Sequence, residues 1–206
     1  MLTDELKYRI LGALEVEPTA EQATAVDMFC SFMLDRDEQS VMLVRGCAGT
    51  GKTTLAAAFV KTLVALNQKL VMLAPTGRAA KVLSLYAGHT AYTIHRRIYR
   101  QRTAGDMSAF NLNDNLQSNT LFIIDEASMV SDIFQDNEML RFGSGRLMSD
   151  LIEYCRVEHT PRKIVFIGDG AELCYNKLCD ILPDSQLADE NIRYVHASSI
   201  CRLAEK

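Results

Sequence analysis

The sequence predicts an α/β fold, a parallel sheet flanked by helices on both faces, and three observations predict it. Four short runs are wholly apolar: Val41–Val44, Leu70–Ala74, Leu121–Ile124 and Ile164–Ile167. Runs this short without a polar position suit strands buried on both faces of a parallel sheet. Segments with helical spacing lie between them, and strands alternating with helices build a layered sheet. A glycine-rich turn, Gly46 to Gly51, joins the first run to the helical segment behind it.

Taken in order, the elements justify themselves locally. Residues 1–17, "MLTDELKYRILGALEVE", alternate charged with apolar positions and predict a helical extension ahead of the main domain. The acids there are wrong for a secretory signal, so the cytoplasm is the expected compartment. No run approaches the ~18 apolar residues of a membrane span, so no membrane is expected as a partner. After Pro18, apolar residues at 25, 26, 29, 32 and 33 mark a helix, and Thr19 with Gln22 fits a capping box at its start. Thr53–Leu66 is rich in Ala and Leu, Gly77–Leu85 reads as a short helix, and Gly145–Val157 spaces its apolar residues at three and four. Between Arg102 and Asn119 the chain turns polar, which predicts a surface excursion with a hairpin around "FNLND".

Composition narrows the functional classes. The chain has 206 residues, 48% hydrophobic and 23% charged, enough apolar mass for one full core. Six cysteines occur without a CxxC pair, which fits reduced thiols better than a disulfide scaffold or a zinc site. A net charge of −4 argues against a coat for nucleic acid. Against that sign, "IHRRIYRQR" gathers Arg96, Arg97, Arg100 and Arg102 into a local basic cluster.

The strongest motif is "RGCAGTGKTT". Gly46, Gly51, Lys52 and Thr53 satisfy G-x-x-x-x-G-K-[ST], placed after a strand and before a helix as a phosphate loop requires. Glycines let the backbone of Gly46, Cys47, Ala48, Gly49, Thr50 and Gly51 curl so that successive N–H groups face phosphate oxygens. The helix opening at Lys52, Thr53 and Thr54 aims its positive end at the same point. In this P-loop NTPase pattern Lys52 reaches the β- and γ-phosphates, and the Thr53 hydroxyl is a Mg²⁺ ligand.

A second motif, "LFIIDEAS", ends a strand on Asp125 and Glu126, at the carboxyl edge where open α/β sheets bind ligands. Asp125 suits the metal. Glu126 suits a catalytic base that polarises water for attack on the γ-phosphate. No N-K-x-D segment is present to read guanine. The fourth apolar run closes on Gly168 and Asp169. Sheets of this kind order their strands first, fourth, third, second. That order sets Asp169 between the phosphate loop and the Glu126 strand, where it is expected to sense the γ-phosphate or support the metal.

With these pieces placed, the chain resembles the superfamily 1 DNA helicases of the RecD/Dda type, specifically their first RecA-like domain. "PTAEQ" looks like the adenine-reading Q motif with Gln22 as the amide, and "RGCAGTGKTT", "LAPTGRAAKVL", "HTAYTIHRRIY", "IIDEASMV" and "FIGDGAEL" are similar to motifs I, Ia, Ib, II and III. The resemblance covers residues 18–173 as a motor domain and leaves 174–206 as a divergent tail. It implies ATP and Mg²⁺ as ligands, with Lys52 and Glu126 catalytic. It also implies single-stranded DNA as a partner, gripped by Pro75, Thr76, Gly77, Arg78 and Lys81 and by Thr93, His95 and Arg96, with Arg97 continuing the track. A 5′-to-3′ polarity comes with the family.

The pattern breaks at motif III, where Glu172 stands in place of the family's glutamine. An ionised carboxylate repels a phosphate that an amide would bond, so Glu172 alters the nucleotide site. The second RecA-like domain, which supplies an arginine finger, is missing, so this chain alone is expected to hydrolyse ATP weakly or not at all. Two other readings stay open at this point: a degenerate or regulatory ATP-binding module without motor activity, and a P-loop ATPase acting on protein partners.

Overall fold

The computed structural model describes residues 2–35, 41–103, 106–134, 141–155, 162–169, 185–187 and 199–203. Among them two helices, α1 (Leu2–Ala13) and α2 (Ala20–Leu34), precede strand β1 (Val41–Arg45). Helix α3 (Lys52–Ala65), β2 (Lys69–Ala74), α4 (Gly77–Ala87), β3 (Ala91–Thr93) and the short α5 (Ile94–Ile98) follow. An antiparallel excursion, β4 (Tyr99–Thr103) and β5 (Asp106–Leu112), leads to β6 (Thr120–Ile124) and a 3₁₀ turn at Ala127–Met129. The chain continues through β7 (Arg141–Phe142), α6 (Leu147–Cys155) and β8 (Arg162–Gly168) to β9 (Ser185–Leu187) and β10 (Ser199–Leu203).

The main sheet runs β3-β2-β6-β8-β1-β10-β9. Its first five strands are mutually parallel, while β10 lies antiparallel to β1. The four apolar runs therefore stand in the expected order, first, fourth, third, second. All four occupy interior positions of the sheet, which is why none carries a polar residue within the run.

The two-residue period of the strands divides the core. Met42, Val44, Met72, Leu121, Ile123, Val165 and Ile167 face the layer made by α1 to α4. Their neighbours Val41, Leu43, Val71, Leu73, Phe122, Ile124, Ile164 and Phe166 face the layer made by α5 and α6. Helices thus cover both faces. The alanine run of α3 explains itself here: Ala56, Ala57 and Ala58 are all buried because α1 and α4 as well as the sheet cover the helix. From α1, Leu6 and Ile10 join the same layer, as does Leu14 just behind the helix.

The hairpin expected around "FNLND" is present, but its place differs. Tyr99 pairs with Leu112 and Gln101 with Phe110, so "FNL" forms the end of the return strand. Phe110 stacks on Phe142 with ring centroids 4.7 Å apart, and this apolar contact draws the segment out of a turn and into a strand. Cys30 and Cys155 are buried free thiols and Cys47 is an exposed one. No helix among the described residues is long and apolar enough to cross a membrane.

The layer over α3 is fixed by Phe29 of α2 stacked on Phe59, with centroids 3.8 Å apart and planes 4° from parallel. Phe59 is fully buried, so Phe59→Ala is expected to cost about 3–5 kcal/mol. Chemical denaturation should show that loss as a lowered midpoint with the slope kept.

Candidate functional site

Parallel pairing brings the carboxyl ends of the strands to one rim. Arg45 is in register with Gly168 and Leu73 with Ile124, so the segments that leave β1, β8, β2 and β6 emerge side by side. The phosphate loop is the first of them. Gly49 and Gly51 hold φ values of +82° and +81°, a region that glycine enters without strain. A Cβ at Gly51 would also stand 2.6 Å from Gln22 Nε2.

Gln22 itself is engaged at both ends of its amide. Its Oε1 accepts from Thr19 N at 3.1 Å, completing the capping box of α2. Its Nε2 donates to the carbonyl of Thr50 at 2.9 Å, which ties α2 to the phosphate loop. Within the loop, Thr50 folds back on Cys47 O through both its N–H (3.3 Å) and its hydroxyl (2.9 Å). Cys47, Ala48, Gly49 and Thr50 are exposed, Gly46 is buried, and Thr53 and Thr54 are half-buried on the first turn of α3.

Lys52 lies across this cradle. Its Nζ donates to Gly46 O at 2.5 Å, to Cys47 O at 2.8 Å and to the carboxylate of Asp169. Asp125 is 5% exposed. Its N–H is bonded to Leu73 O of β2, and its Oδ1 accepts from Glu126 N at 2.9 Å. Burial raises its pKa, as the Glu126 charge also does, while the Glu126 N–H and Lys52 pull it down. Glu126 is exposed and left-handed at φ +53°, which turns it away from the strand direction. Gly168 is glycine because a Cβ there would come within 2.8 Å of Ala127 N, so β8 ends against the turn behind Glu126. Glu172 lies outside the described residues.

A buried carboxylate whose ionised form is disfavoured, a half-buried hydroxyl at Thr53 and a loop with two left-handed glycines form a donor set that fits Mg²⁺ beside a phosphate chain. Among the described residues no group of three or more His, Cys, Asp or Glu gathers to hold a metal. A divalent ion here would take few protein ligands, as Mg²⁺ does at phosphate sites.

Farther along the same rim, Ala74 pairs with Thr93, which sets the starts of α4 and α5 beside each other. Thr76 Oγ1 accepts from Ala79 N and Thr93 Oγ1 from Arg96 N, so both threonines cap helices. Thr76, Gly77, Arg78, Lys81 and Arg96 are exposed. Pro75, Thr76 and His95 border a groove of about 250 Å³ with Tyr99, Ile133 and Phe142. His95 meets the Phe142 ring edge-on at 5.1 Å, and burial lowers its pKa, so its imidazole is neutral at pH 7 and offers a ring more than a charge. Arg97 turns inward: it is half-buried, donates to Gln117 and lies over Tyr92. Tyr99 donates to Asp150, only 2% exposed, which also accepts from Ser144 N. Tyr99 was legible as an aromatic four residues after His95; Asp150 and Phe142 carried no signal in the chain.

A parallel sheet whose first strand feeds a phosphate loop, with an acid pair closing the strand two positions away, defines a P-loop NTPase domain. The chain belongs to the AAA-domain family, which it matches over residues 17–173. It is 30% identical over 199 residues to an uncharacterized protein of Methanocaldococcus jannaschii, covering 89% of this chain and 15% of that protein. It is also 30% identical over 112 residues to the ATP-dependent RecD2 DNA helicase of Deinococcus radiodurans, covering 54% of this chain and 14% of that protein. The chain thus spans about one seventh of the length of these relatives.

The Asp125 environment yields a sign. A carboxyl whose folded pKa is raised is favoured by folding only while protonated, so its cost is nil below the ordinary value of 3.8 and grows as pH rises above it. Asp125→Asn keeps the acceptor for Glu126 N and removes the charge. Without nucleotide its melting temperature should exceed wild type at pH 7, and the gain should shrink toward pH 4.

Proposed function

We propose that the chain is the first RecA-like motor domain of an ATP-dependent 5′-to-3′ DNA helicase of the superfamily 1 RecD/Dda type, binding Mg²⁺-ATP and single-stranded DNA. The observation that carries this reading is the pairing of Ala74 with Thr93 at the rim that also holds the phosphate loop. It supplies one continuous edge on which a triphosphate and a polynucleotide backbone can both lie. Thr76 and Thr93 offer hydroxyls there, and exposed Arg78, Lys81 and Arg96 offer positive charge. The aromatic groove beside His95 suits unstacked bases, and the amides at the start of α4 suit a phosphate. The likeness to a RecD2 helicase over half of the chain supports the same reading.

In this site the loop amides and Lys52 bind the phosphate chain, and the Glu126 carboxylate accepts a proton from the attacking water. Thr53 and Asp125 are the residues that would hold Mg²⁺, which supplies charge neutralisation across the phosphate oxygens when bound. Gln22 Nε2 spends one of its two protons on the Thr50 carbonyl, and in this reading the other serves the base. An arginine finger from a second RecA-like domain would complete the transition-state charge.

The test uses a longer protein that carries the second motor domain. Single-stranded DNA should stimulate its ATPase, and log Kd for DNA should change linearly with log salt. Lys52→Ala should abolish hydrolysis and weaken nucleotide binding. Glu126→Gln should keep binding while turnover falls by about 10²–10⁴-fold. An ATPase indifferent to DNA would sink the helicase reading, and normal turnover in Glu126→Gln would remove that residue as the base.

A further inference from the structure

Counting donors at Lys52 exposes a competition inside the phosphate site. A lysine ammonium has three protons to donate and no acceptor. Here the carbonyls of Gly46 and Cys47 take two, at 2.5 and 2.8 Å. The third goes to the carboxylate of Asp169. Lys52 is only 14% exposed, so water does not offer it an alternative shell, whereas Asp169 is 54% exposed and can swing away. The two carbonyls belong to the loop itself and stay with it. The one donor available to an incoming anion is therefore the one that Asp169 holds.

We propose that Asp169 is a placeholder for phosphate, a carboxylate that occupies the third donor of Lys52 and holds the site in a self-blocked state until a polyphosphate displaces it. The proposal rests on the nucleotide-binding reading above and gives Asp169 a role opposite to that of a ligand: it opposes binding. Its oxygens present to Lys52 what a phosphoryl oxygen presents, one anionic acceptor at hydrogen-bond distance. A ligand that reaches Lys52 with enough charge to replace the carboxylate gains a bond and frees Asp169. A ligand too short to reach Lys52 leaves the pair in place. Asp169 thereby opposes the ligands that reach Lys52, leaves shorter ones unaffected, and keeps the ammonium paired in the free site. Placement supports this, because β8 ends against the Ala127 turn in register with Arg45 of β1, so Asp169 follows at the rim beside the loop.

The test is a double-mutant cycle read by titration calorimetry with Mg²⁺-AMP and a non-hydrolysable Mg²⁺-ATP analogue. Asp169→Asn should tighten the analogue about two- to fivefold, the range of a partly exposed ion pair. It should change the affinity for Mg²⁺-AMP little. In a Lys52→Met background the same substitution should lose its effect, because the carboxylate acts through Lys52. Wild-type binding that Asp169→Asn weakens or leaves unchanged overturns the placeholder alone. Tightening that persists in Lys52→Met overturns it too, by showing a general field of one fewer negative charge. If neither wild type nor Asp169→Asn binds any Mg²⁺-nucleotide, both the placeholder and the nucleotide reading fall.

Discussion

Everything at the site depends on the parallel register that ends β1, β2, β6 and β8 on one rim. Strand pairing is usually described as a source of stability, but here it acts as a positioning device. Because Arg45 is opposite Gly168 and Leu73 opposite Ile124, four segments distant in sequence are forced to leave the sheet at one level. A slip of one residue would turn Val44 or Ile123 from one core layer into the other. The two apolar layers therefore lock the register, and the register places the loop, the acid pair and Asp169. No feature of the site could have been assembled by loops alone, since loops lack that enforcement.

The site itself is built against local stability. Asp125 is a carboxylate pressed into the core edge, Glu126 sits in a left-handed backbone region that non-glycine residues rarely enter, and Gly51 holds the same region, where a Cβ would also meet Gln22. Their joint presence at one rim, while the rest of the sheet is packed with Val, Ile, Leu and Phe, separates the part of the chain that stabilises from the part that recognises anions.

The interior strands were legible because burial on both faces leaves no polar residue in the run, a one-dimensional signature. β3 was not, since "AYT" is three half-buried residues at the sheet's edge and has neither length nor an apolar run. The phosphate loop was legible because its conformation demands glycine at fixed spacing, and the capping box because Thr19 and Gln22 are three residues apart. Pairs made by tertiary folding left no such trace. Strand order set Asp169 beside the phosphate loop, but its bond to Lys52 across 117 residues, like that of Tyr99 to Asp150 across 51, has no local signature. The arginine cluster shows the same limit: Arg96 faces outward and Arg97 inward, a division set by the packing of α5 and invisible in "RR".

Helix α2 is moored at both ends. At its start Gln22 holds Thr50 of the phosphate loop; at its finish the ammonium of Lys163 on β8 collects the carbonyls of Phe32, Met33 and Asp35. A helix is stiff along its axis, and one of 15 residues is about 22 Å long. It works as a strut spanning the sheet from its amino edge to its carboxyl edge, with the loop hung from one end. The phosphate loop therefore shares its anchor with a helix whose other end is tied to β8 at the opposite edge of the sheet.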